Sequence, residues 1–283
     1  HKKELSVEKK GKPFFVFPRE RREFEDRHQL PQIKTPKLQE GETLHVYLGI
    51  DSGSTTTKFV LMDEEENILD SFYAPNEGDP LLVAKNALIA MRDKYKKKGV
   101  TLDIIAAGTT GYGEVLFAKA FETECHVVET VAHARAARKY VEDASFILDI
   151  GGQDMKAIWL DNGIITNIVL NEACSSGCGS FLENFASSLH IPVGKIARTA
   201  FDSENPAQLG SRCTVFMNSS IITEQRNGKL PGDIMAGLCR SIIENVFTKV
   251  IRVSNLDSLG DKIVVQGGTF QNDAVLRAME QYL

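Results

Sequence analysis

The sequence predicts an α/β protein made of two similar lobes, and three observations lead to that prediction. From His45 onward, β-type runs and helical runs alternate in an orderly way. The same order begins again near Ser145, so the chain contains an internal repeat. A glycine-rich turn follows the first strand of each half, at the same place in the repeat. Two lobes of this kind predict a cleft between them.

The first half opens with three β-type runs: "HVYLGID", "TKFVLMD" and "ILDSFYAP". A Gly/Ser/Thr turn and an acidic turn separate these runs, which predicts an antiparallel meander. "PLLVAKNALIAMRDKYKKKG" then repeats apolar residues at helical spacing and ends in lysines and Gly99, as helix C-termini favour. The remaining runs predict a short buried strand in "IIAAGTT", a helix in "GEVLFAKAF", a strand in "CHVVE" and a helix in "VAHARAARKYV".

The second half repeats the meander over "SFILDIGGQDMKAIWLDNGIITNIVLN". In each half a strand ends in "GID" or "DIGG", a glycine turn follows, and the next strand begins near a lysine. We therefore expect a first lobe over residues 45–143 and a second lobe over residues 144–283.

The N-terminal segment has a different character from the rest. Residues 1–44 are charged and punctuated by proline, without sustained periodicity, which favours a charged linker or tail. Residues 1–40 hold 11 Lys and Arg against 7 Asp and Glu, whereas the rest of the chain holds 22 against 31. The apolar patch "FFVF" leaves a second interpretation open, a short docking segment anchored by Phe14, Phe15, Val16 and Phe17.

The composition argues against several classes of protein. An acidic body disfavours nucleic acid as the main partner. No apolar run approaches the roughly 20 residues of a membrane helix, and the N-terminus has no apolar signal-peptide centre. We therefore expect a cytoplasmic protein without a membrane partner. The five cysteines are an odd number in a long chain, which disfavours a disulfide framework and leaves free thiols, a metal or a cluster open.

The stretch "LGIDSGSTTTK" predicts a phosphate-binding turn. Gly53 permits a tight turn, and the N–H groups and hydroxyls that can surround an anion belong to Ser52, Ser54, Thr55 and Thr56. Lys58 adds a positive charge, and Asp51 at the strand end is placed to hold Mg²⁺, directly or through water. The Walker spacing is missing. Taken alone, the motif leaves an ordinary Ser/Gly hairpin open.

Two further glycine motifs extend that hypothesis to a nucleotide clamp. "ILDIGGQDMK" supplies a second carboxylate, Asp149, and a second turn formed by Gly151, Gly152, Gln153 and Asp154. "IVVQGGTFQND" places Gly267 and Gly268 after a buried strand, where a flat ring can approach the backbone closely. Two phosphate turns that face each other and a glycine pair for the nucleoside predict a site for ATP or ADP.

With these three motifs the sequence resembles the actin/hexokinase/Hsp70 superfamily of ATPases, whose two lobes are RNase H-like. Six segments narrow the resemblance to the BadF/BadG/BcrA/BcrD family over residues 46–283: "GIDSGSTTTK", "TGYG", "DIGGQDMK", "NEACSSGCGSF", "SRCTVF" and "GGTFQNDAVLRA". The resemblance implies an ATP-dependent activator of 2-hydroxyacyl-CoA dehydratases or an ATPase subunit of benzoyl-CoA reductases. In the superfamily a further strand and helix follow the adenosine motif, so it also implies a second lobe cut short at its C-terminus.

The resemblance further implies an iron–sulfur site. In that family a homodimer holds one [4Fe-4S] cluster at its two-fold axis, and each subunit gives two cysteines, here Cys174 and Cys213 by motif. Four thiolates from two chains suit such a cluster. Cys178 departs from the simple activators of the family, and three roles stay open for it: an alternative ligand, a redox partner of Cys174 or a packed residue. We expect Cys125 and Cys239 to be core residues.

The resulting prediction is an ATPase that couples ATP hydrolysis to low-potential electron transfer from the shared cluster to an acyl-CoA dehydratase or reductase. The predicted catalytic residues are Asp51, Asp149 and Glu129. Glu129 is expected to orient the attacking water, although a helix-start acid explains it equally well. "TGYG" is expected to be a connecting hinge.

Two other functions stay open. A small-molecule kinase uses the same scaffold, but it needs a carboxylate base, and no polar insertion between Gly113 and Glu129 supplies one. The other is a nucleotide-sensing domain in a larger protein, in which ATP binds but little is hydrolysed.

Overall fold

The structure is a computed structural model that describes residues 10–29, 37–171, 178–211 and 214–283. The chain forms two compact units. The first unit comprises residues 30–136, and the second unit comprises residues 1–29 together with residues 137–283. The sequence predicts a boundary between the two lobes at residues 143 and 144. The boundary between the two units lies at residues 136 and 137, inside a helix. None of the described helices is long and apolar enough to cross a membrane.

Strands and α-helices are numbered in chain order. The described strands are β1 (Thr43–Ser52), β2 (Thr56–Met62), β3 (Ile68–Pro75), β4 (Thr101–Thr110), β5 (Cys125–His126), β6 (Phe146–Ile150), β7 (Met155–Asp161), β8 (Ile164–Asn171) and β9 (Ile263–Gln266). The described α-helices are α1 (Pro18–Arg27), α2 (Pro80–Lys96), α3 (Glu114–Phe121), α4 (Glu129–Tyr140), α5 (Gly179–Ser188), α6 (Ile196–Phe201), α7 (Thr214–Arg226), α8 (Pro231–Asn245) and α9 (Asp273–Tyr282). Short turns of 3₁₀ or π type lie at residues 193–195, 246–250, 256–259 and 268–271.

The first unit contains a five-stranded sheet in the order β3-β2-β1-β4-β5. Strands β1, β2 and β3 form the expected antiparallel meander, while β4 and β5 run parallel to β1. Helix α2 starts at Asp79, whose side chain accepts a hydrogen bond from the N–H of Leu82 at 3.0 Å. Its buried stripe of Ala84, Ala87, Met91 and Tyr95 packs on the apolar residues of β1 and β2.

The second unit contains a four-stranded sheet in the order β8-β7-β6-β9, which repeats the order β3-β2-β1-β4. The repeat holds to the residue, because Asp51 lies opposite Lys58 in the first sheet and Asp149 lies opposite Lys156 in the second. Helix α8 is buried over most of its length and forms the centre of the apolar core of this unit. The internal repeat expected from the sequence is therefore present in the strand order and register.

Two strands differ from their expected form. Strand β4 has ten residues and is mostly half-buried or exposed, rather than short and buried. Strand β5 has only two residues and pairs with Gly108 and Thr109 alone, so it covers little of the edge of β4. "CHVVE" forms a strand only at its first two residues, because the chain then turns into α4 at Glu129.

Residues 10–29, which we call the N-terminal arm, differ from the linker or tail expected there. The arm is folded and belongs to the second unit. Phe14 is only 1% exposed, contacts the ring of Phe201 edge-on at 5.5 Å, and lies under the guanidinium of Arg240 at 4.4 Å. Phe17, three residues on, is 64% exposed. The alternative of a docking segment thus fits Phe14 but not Phe17.

Charged contacts also hold the end of the arm. The carboxylate of Glu280 on α9 accepts hydrogen bonds from Arg27 at 2.9 Å, from His28 at 2.7 Å and from Arg277 at 2.7 Å. Burial alone raises the pKa of Glu280, but these hydrogen bonds outweigh it and hold the pKa below its ordinary value. Glu280 therefore stays ionised and links α1 to α9.

Candidate functional site

The first candidate turn joins β1 to β2 in the first unit. The N–H of Gly53 donates a hydrogen bond to the carbonyl of Thr56 at 2.9 Å, which closes the turn. Ser52 is buried at the end of β1, whereas Ser54 and Thr55 at the tip are exposed. The turn therefore presents hydroxyl groups to solvent from a fixed backbone, as an anion site requires.

Asp51 and Lys58 form an ion pair at the base of this turn. They are cross-strand neighbours in β1 and β2, and the Lys58 Nζ lies 2.7 Å from the Asp51 Oδ2. The second carboxylate oxygen, Oδ1, is buried and accepts no hydrogen bond from any described residue. A buried carboxylate oxygen without a donor loses its hydration, so a cation or a metal-bound water at this position would restore a partner. Asp51 thus fits the expected Mg²⁺ site.

The "TGYG" motif, which the sequence predicts to be a hinge, lies against the end of β1 at the first turn. The N–H of Gly113 donates a hydrogen bond to the carbonyl of Ser52 at 3.0 Å. Gly111 has φ +89°, and a Cβ there would lie 2.5 Å from the Oδ1 of Asp51, so only glycine fits. Tyr112 projects between the two glycines and is 90% exposed.

Glu129 lies at the same edge of the first sheet as Asp51. Strands β1, β4 and β5 are parallel, so their carboxyl ends share one edge, and α4 starts at Glu129 directly after β5. The hydroxyl of Thr110 donates to the carbonyl of Val127 at 2.7 Å and fixes the start of that connection. Glu129 lies 3.6 Å from the Nε2 of His133 one turn later.

The second candidate turn joins β6 to β7 in the second unit. The N–H of Gly151 donates to the carbonyl of Asp154 at 2.9 Å, which reproduces the closure of the first turn. Asp149 is buried, and its Oδ2 accepts a hydrogen bond from the Nε2 of Gln266 at 3.1 Å. Lys156, the counterpart of Lys58, forms an ion pair with Asp154 at the end of the turn. The two turns therefore share a backbone form but distribute charge differently.

Two other segments meet the second turn. The N–H groups of Gly179 and Ser180, at the start of α5, donate to the carbonyls of Gly151 and Gly152 at 3.0 and 2.8 Å. The Thr269 hydroxyl donates to the carbonyl of Gly151 at 2.9 Å.

The predicted nucleoside glycines lie beside this turn. Gly267 has φ +95°, and a Cβ there would lie 2.7 Å from the carbonyl carbon of Ile150. The structure thus brings together the predicted glycines of the second turn and those predicted for the nucleoside, Gly267 and Gly268.

The cysteines divide by their position. Cys174 and Cys213 lie outside the described residues, while α5 and α7 begin shortly after them at Gly179 and Thr214. Cys178 is fully buried at the residue before α5. Cys239 is a core residue as expected, and burial raises the pKa of its thiol to about 12.

Cys125 does not lie in the core. It is exposed, because β5 is a two-residue edge strand. Within the part of the chain that the structure describes, no group of three or more His, Cys, Asp or Glu side chains is arranged to hold a metal ion.

Sequence reasoning missed three side chains of these turns. Asn76, after β3, hydrogen-bonds to the first turn, and Gln266 and Thr269 hydrogen-bond to Asp149 and to the second turn. Gln266 and Thr269 flank the glycine pair of "VVQGGT", so that motif contained a signal. No sequence motif indicated Asn76, because only the pairing of β2 with β3 brings this residue to the turn.

Known proteins resemble this chain in sequence and in structure. The chain is 31% identical over 237 residues to the (R)-2-hydroxyglutaryl-CoA dehydratase activating ATPase of Acidaminococcus fermentans, which covers 83% of this chain and 87% of that protein. It is also similar to the structure of the activator of the 2-hydroxyisocaproyl-CoA dehydratase from Clostridium difficile with bound ADPNP. The TM-score is 0.70 at 29% identity, and the match covers 83% of this chain and 85% of the other.

A more distant structure bears on the fold alone. The chain resembles a ROK family glucokinase from Streptomyces griseus with a TM-score of 0.50 at 16% identity, over 83% of this chain and 88% of that one. The predicted fold class, an α/β protein of the actin/hexokinase/Hsp70 type, is confirmed. The family model for the BadF/BadG/BcrA/BcrD ATPase family matches residues 48–283. The chain belongs to the BadF/BadG/BcrA/BcrD ATPase family.

Proposed function

We propose that this protein hydrolyses ATP to drive electron transfer from a [4Fe-4S] cluster to an acyl-CoA dehydratase or reductase. The observation that carries the proposal is the repeated pair of glycine turns, each with an aspartate at the strand end and a lysine opposite it. Repeated anion-binding turns suit a nucleotide with several phosphates. The dehydratase-activating relatives of the chain support the choice of partner.

The first turn binds phosphate in this proposal. The exposed tip offers the backbone N–H groups and hydroxyls of Ser54 and Thr55, with Thr56 at the start of β2. Lys58 adds a positive charge beside them. The buried Oδ1 of Asp51 would hold the metal ion that accompanies ATP, directly or through water. Neutralising phosphate charge is the main electrostatic task in phosphoryl transfer.

The second turn and its neighbours bind the rest of the nucleotide. Phosphate contacts the residues of this turn, Gly151, Gly152, Gln153 and Asp154. Asp149, near the end of β6, assists ATP hydrolysis. Gly267 and Gly268 lie along the nucleoside in this proposal, and Gly267 packs against the backbone of Ile150, where a Cβ would not fit. Glu129 orients the attacking water from the start of α4. These roles complete the predicted set of site residues.

The cluster site combines Cys174 and Cys213 from each of two chains in a homodimer. Helices α5 and α7 begin just after these cysteines, and the positive ends of helices stabilise thiolates and an anionic cluster. The donor set of two cysteines per chain therefore fits a cluster shared by two chains. When bound, a [4Fe-4S] cluster supplies an electron donor of low potential.

Helix α5 connects the two sites along the chain. Its first N–H groups hydrogen-bond to the carbonyls of the second turn, and its start follows the segment that contains Cys174. A change in the second turn on hydrolysis therefore acts on α5 through Gly179 and Ser180. The cytoplasm is the compartment we expect for this reaction.

The test of the nucleotide site is the rate of ATP hydrolysis in Asp51→Asn, with Asp63→Asn as the matched control. Asp63 lies at the opposite end of the same hairpin and accepts hydrogen bonds from Asn67 there. We expect Asp51→Asn to lower kcat about 100-fold or more, because it removes the charge that faces the metal. We expect Asp63→Asn to keep kcat within about threefold. Equal rates in the two variants would refute the proposed site.

A further inference from the structure

We propose that Asn76 is a positioning residue that orients the first turn, residues 53–56, for phosphate. The inference rests on the proposed function, because it assumes that this turn binds phosphate. It adds a residue that lies outside the glycine, serine and threonine motif and 18 residues beyond Lys58 in sequence. Asn76 follows β3, so the meander of β1, β2 and β3 is what brings it to the turn.

Asn76 makes three hydrogen bonds to the two sides of the turn. Its Nδ2 donates to the carbonyl of Gly53 at 2.9 Å, and its backbone N–H donates to the carbonyl of Thr55 at 2.9 Å. Its Oδ1 accepts a hydrogen bond from the buried hydroxyl of Thr57 at 2.8 Å. One residue therefore binds the turn before its tip, at its tip and after it.

Three of the four carbonyls of the turn, residues 53–56, accept hydrogen bonds from Asn76 or from within the turn. The carbonyl of Gly53 accepts from the Asn76 side chain, the carbonyl of Thr55 accepts from the Asn76 backbone, and the carbonyl of Thr56 accepts from Gly53. No described residue accepts a hydrogen bond from the N–H of Ser54 or Thr55. Engaged carbonyls and available N–H groups are what an anion site needs, because a carbonyl oxygen that faces phosphate repels it.

Asparagine suits this position better than aspartate does. The Thr57 hydroxyl donates to Oδ1, so Nδ2 is the atom that faces the carbonyl of Gly53, where a donor is required. Aspartate at this position would place a carboxylate oxygen against that carbonyl. The backbone carbonyl of Asn76 also accepts a hydrogen bond from the N–H of Asp79, the cap of α2. This hydrogen bond fixes the backbone of Asn76.

Asn67 offers a matched control in the same hairpin. It lies in the turn between β2 and β3, and its side chain donates to both oxygens of Asp63, at 3.2 and 2.9 Å. Alanine at residue 67 therefore removes a comparable side-chain anchor from the end of the hairpin away from the first turn. A purely structural role predicts similar consequences for Asn67→Ala and Asn76→Ala.

The experiment measures the Kd of ADPNP and the KM and kcat of ATP hydrolysis in wild type, Asn76→Ala and Asn67→Ala. We expect Asn76→Ala to weaken ADPNP binding about tenfold, or about 1.4 kcal/mol, and to raise KM similarly. We expect kcat to fall less than about threefold, because the turn binds phosphate in ground state and transition state alike. Inhibition by adenosine, which has no phosphate, should be unchanged. Asn67→Ala should match wild type throughout.

Three outcomes separate the possibilities. Lys58→Ala is included because it tests the proposed phosphate site without touching Asn76. If Lys58→Ala weakens ADPNP binding while Asn76→Ala matches Asn67→Ala, the inference about Asn76 is wrong and the proposed function stands. If neither Lys58→Ala nor Asn76→Ala changes ADPNP binding, the phosphate site itself is wrong. Equal weakening of ADPNP and adenosine in Asn76→Ala would indicate general damage and also overturn the inference.

A second variant keeps the inference testable if Asn76→Ala does not fold. Thr57→Val keeps the shape of the buried side chain but removes the hydroxyl that fixes the Asn76 amide. We expect it to weaken ADPNP binding about threefold while leaving inhibition by adenosine unchanged. Wild-type affinity for ADPNP in folded Thr57→Val would overturn the inference.

Discussion

Replacing Phe14 by alanine tests the packing of the N-terminal arm, and Phe17→Ala is its matched control. Both residues lie in "FFVF", but Phe14 is buried in the core of the second unit and Phe17 is 64% exposed. The same chemical change therefore removes a core ring in one variant and a surface ring in the other. A linker or tail predicts that neither substitution matters.

The structure sets the expected size of the effect. Truncating a buried phenylalanine to alanine costs about 3–5 kcal/mol, which includes the cavity that remains. Phe14 also loses its edge-on contact with Phe201 and its stacking under Arg240. An exposed side chain such as Phe17 changes the free energy of unfolding by about 0.5 kcal/mol or less. If the arm detaches while the rest of the unit stays folded, the loss cannot exceed the free energy that docks the arm.

Two assays distinguish these possibilities. Denaturant unfolding should show a loss of at least about 2 kcal/mol for Phe14→Ala, and thermal unfolding a drop of at least about 4 °C. Trypsin should cleave at the arginines of α1 faster in Phe14→Ala, because a detached arm loses the packing that keeps α1 helical. Phe17→Ala should resemble wild type in both assays. Similar stability and cleavage rates for the two variants would refute the packing.

Three more outcomes are expected. The hydrogen bonds that lower the pKa of Glu280 stabilise the protein at pH values above 4.5, the ordinary pKa of this group. This stability is lost as the pH falls through the lower pKa that Glu280 has in the folded protein. Glu280→Gln should therefore flatten the acid side of a plot of stability against pH, and an unchanged acid side would contradict this. Iodoacetamide should label Cys125 in the native protein but reach Cys178 and Cys239 only after unfolding, as peptide mass mapping can check. Gly267→Ala should weaken ADPNP binding at least about tenfold by calorimetry, because its Cβ would meet the backbone of Ile150. Normal affinity for ADPNP would argue against a nucleotide site beside Gly267.

The two antiparallel meanders were predictable because hydrophobic alternation and glycine turns are local signals. Both meanders follow from such runs, and the register that pairs Asp51 with Lys58 follows from the length of the turn between them. The repeat also gave the second half an aspartate and a following lysine, and the structure places these residues, Asp149 and Lys156, opposite each other. Motifs that lie within one hairpin could therefore be predicted from the sequence.

Contacts between segments distant in sequence were not predictable. Asn76 reaches the first turn only through the pairing of β2 with β3, and Phe14 reaches Phe201 across 187 positions of the chain. The apolar patch of the arm was visible in the sequence, but the burial of Phe14 in the core of the second unit was not. Cys125 was expected in the core because "CHVVE" reads as a full strand, and only its truncation to two residues exposes it.

The measurement that tests the central proposal most directly is iron and acid-labile sulfide content per chain after anaerobic preparation. It is made on wild type and on Cys174→Ser, Cys213→Ser and Cys178→Ser. The proposal predicts about two irons per chain in a dimer, lost with Cys174 or Cys213 and kept with Cys178. A folded wild-type protein with no iron after reconstitution, or iron that survives both Cys174→Ser and Cys213→Ser, would contradict it.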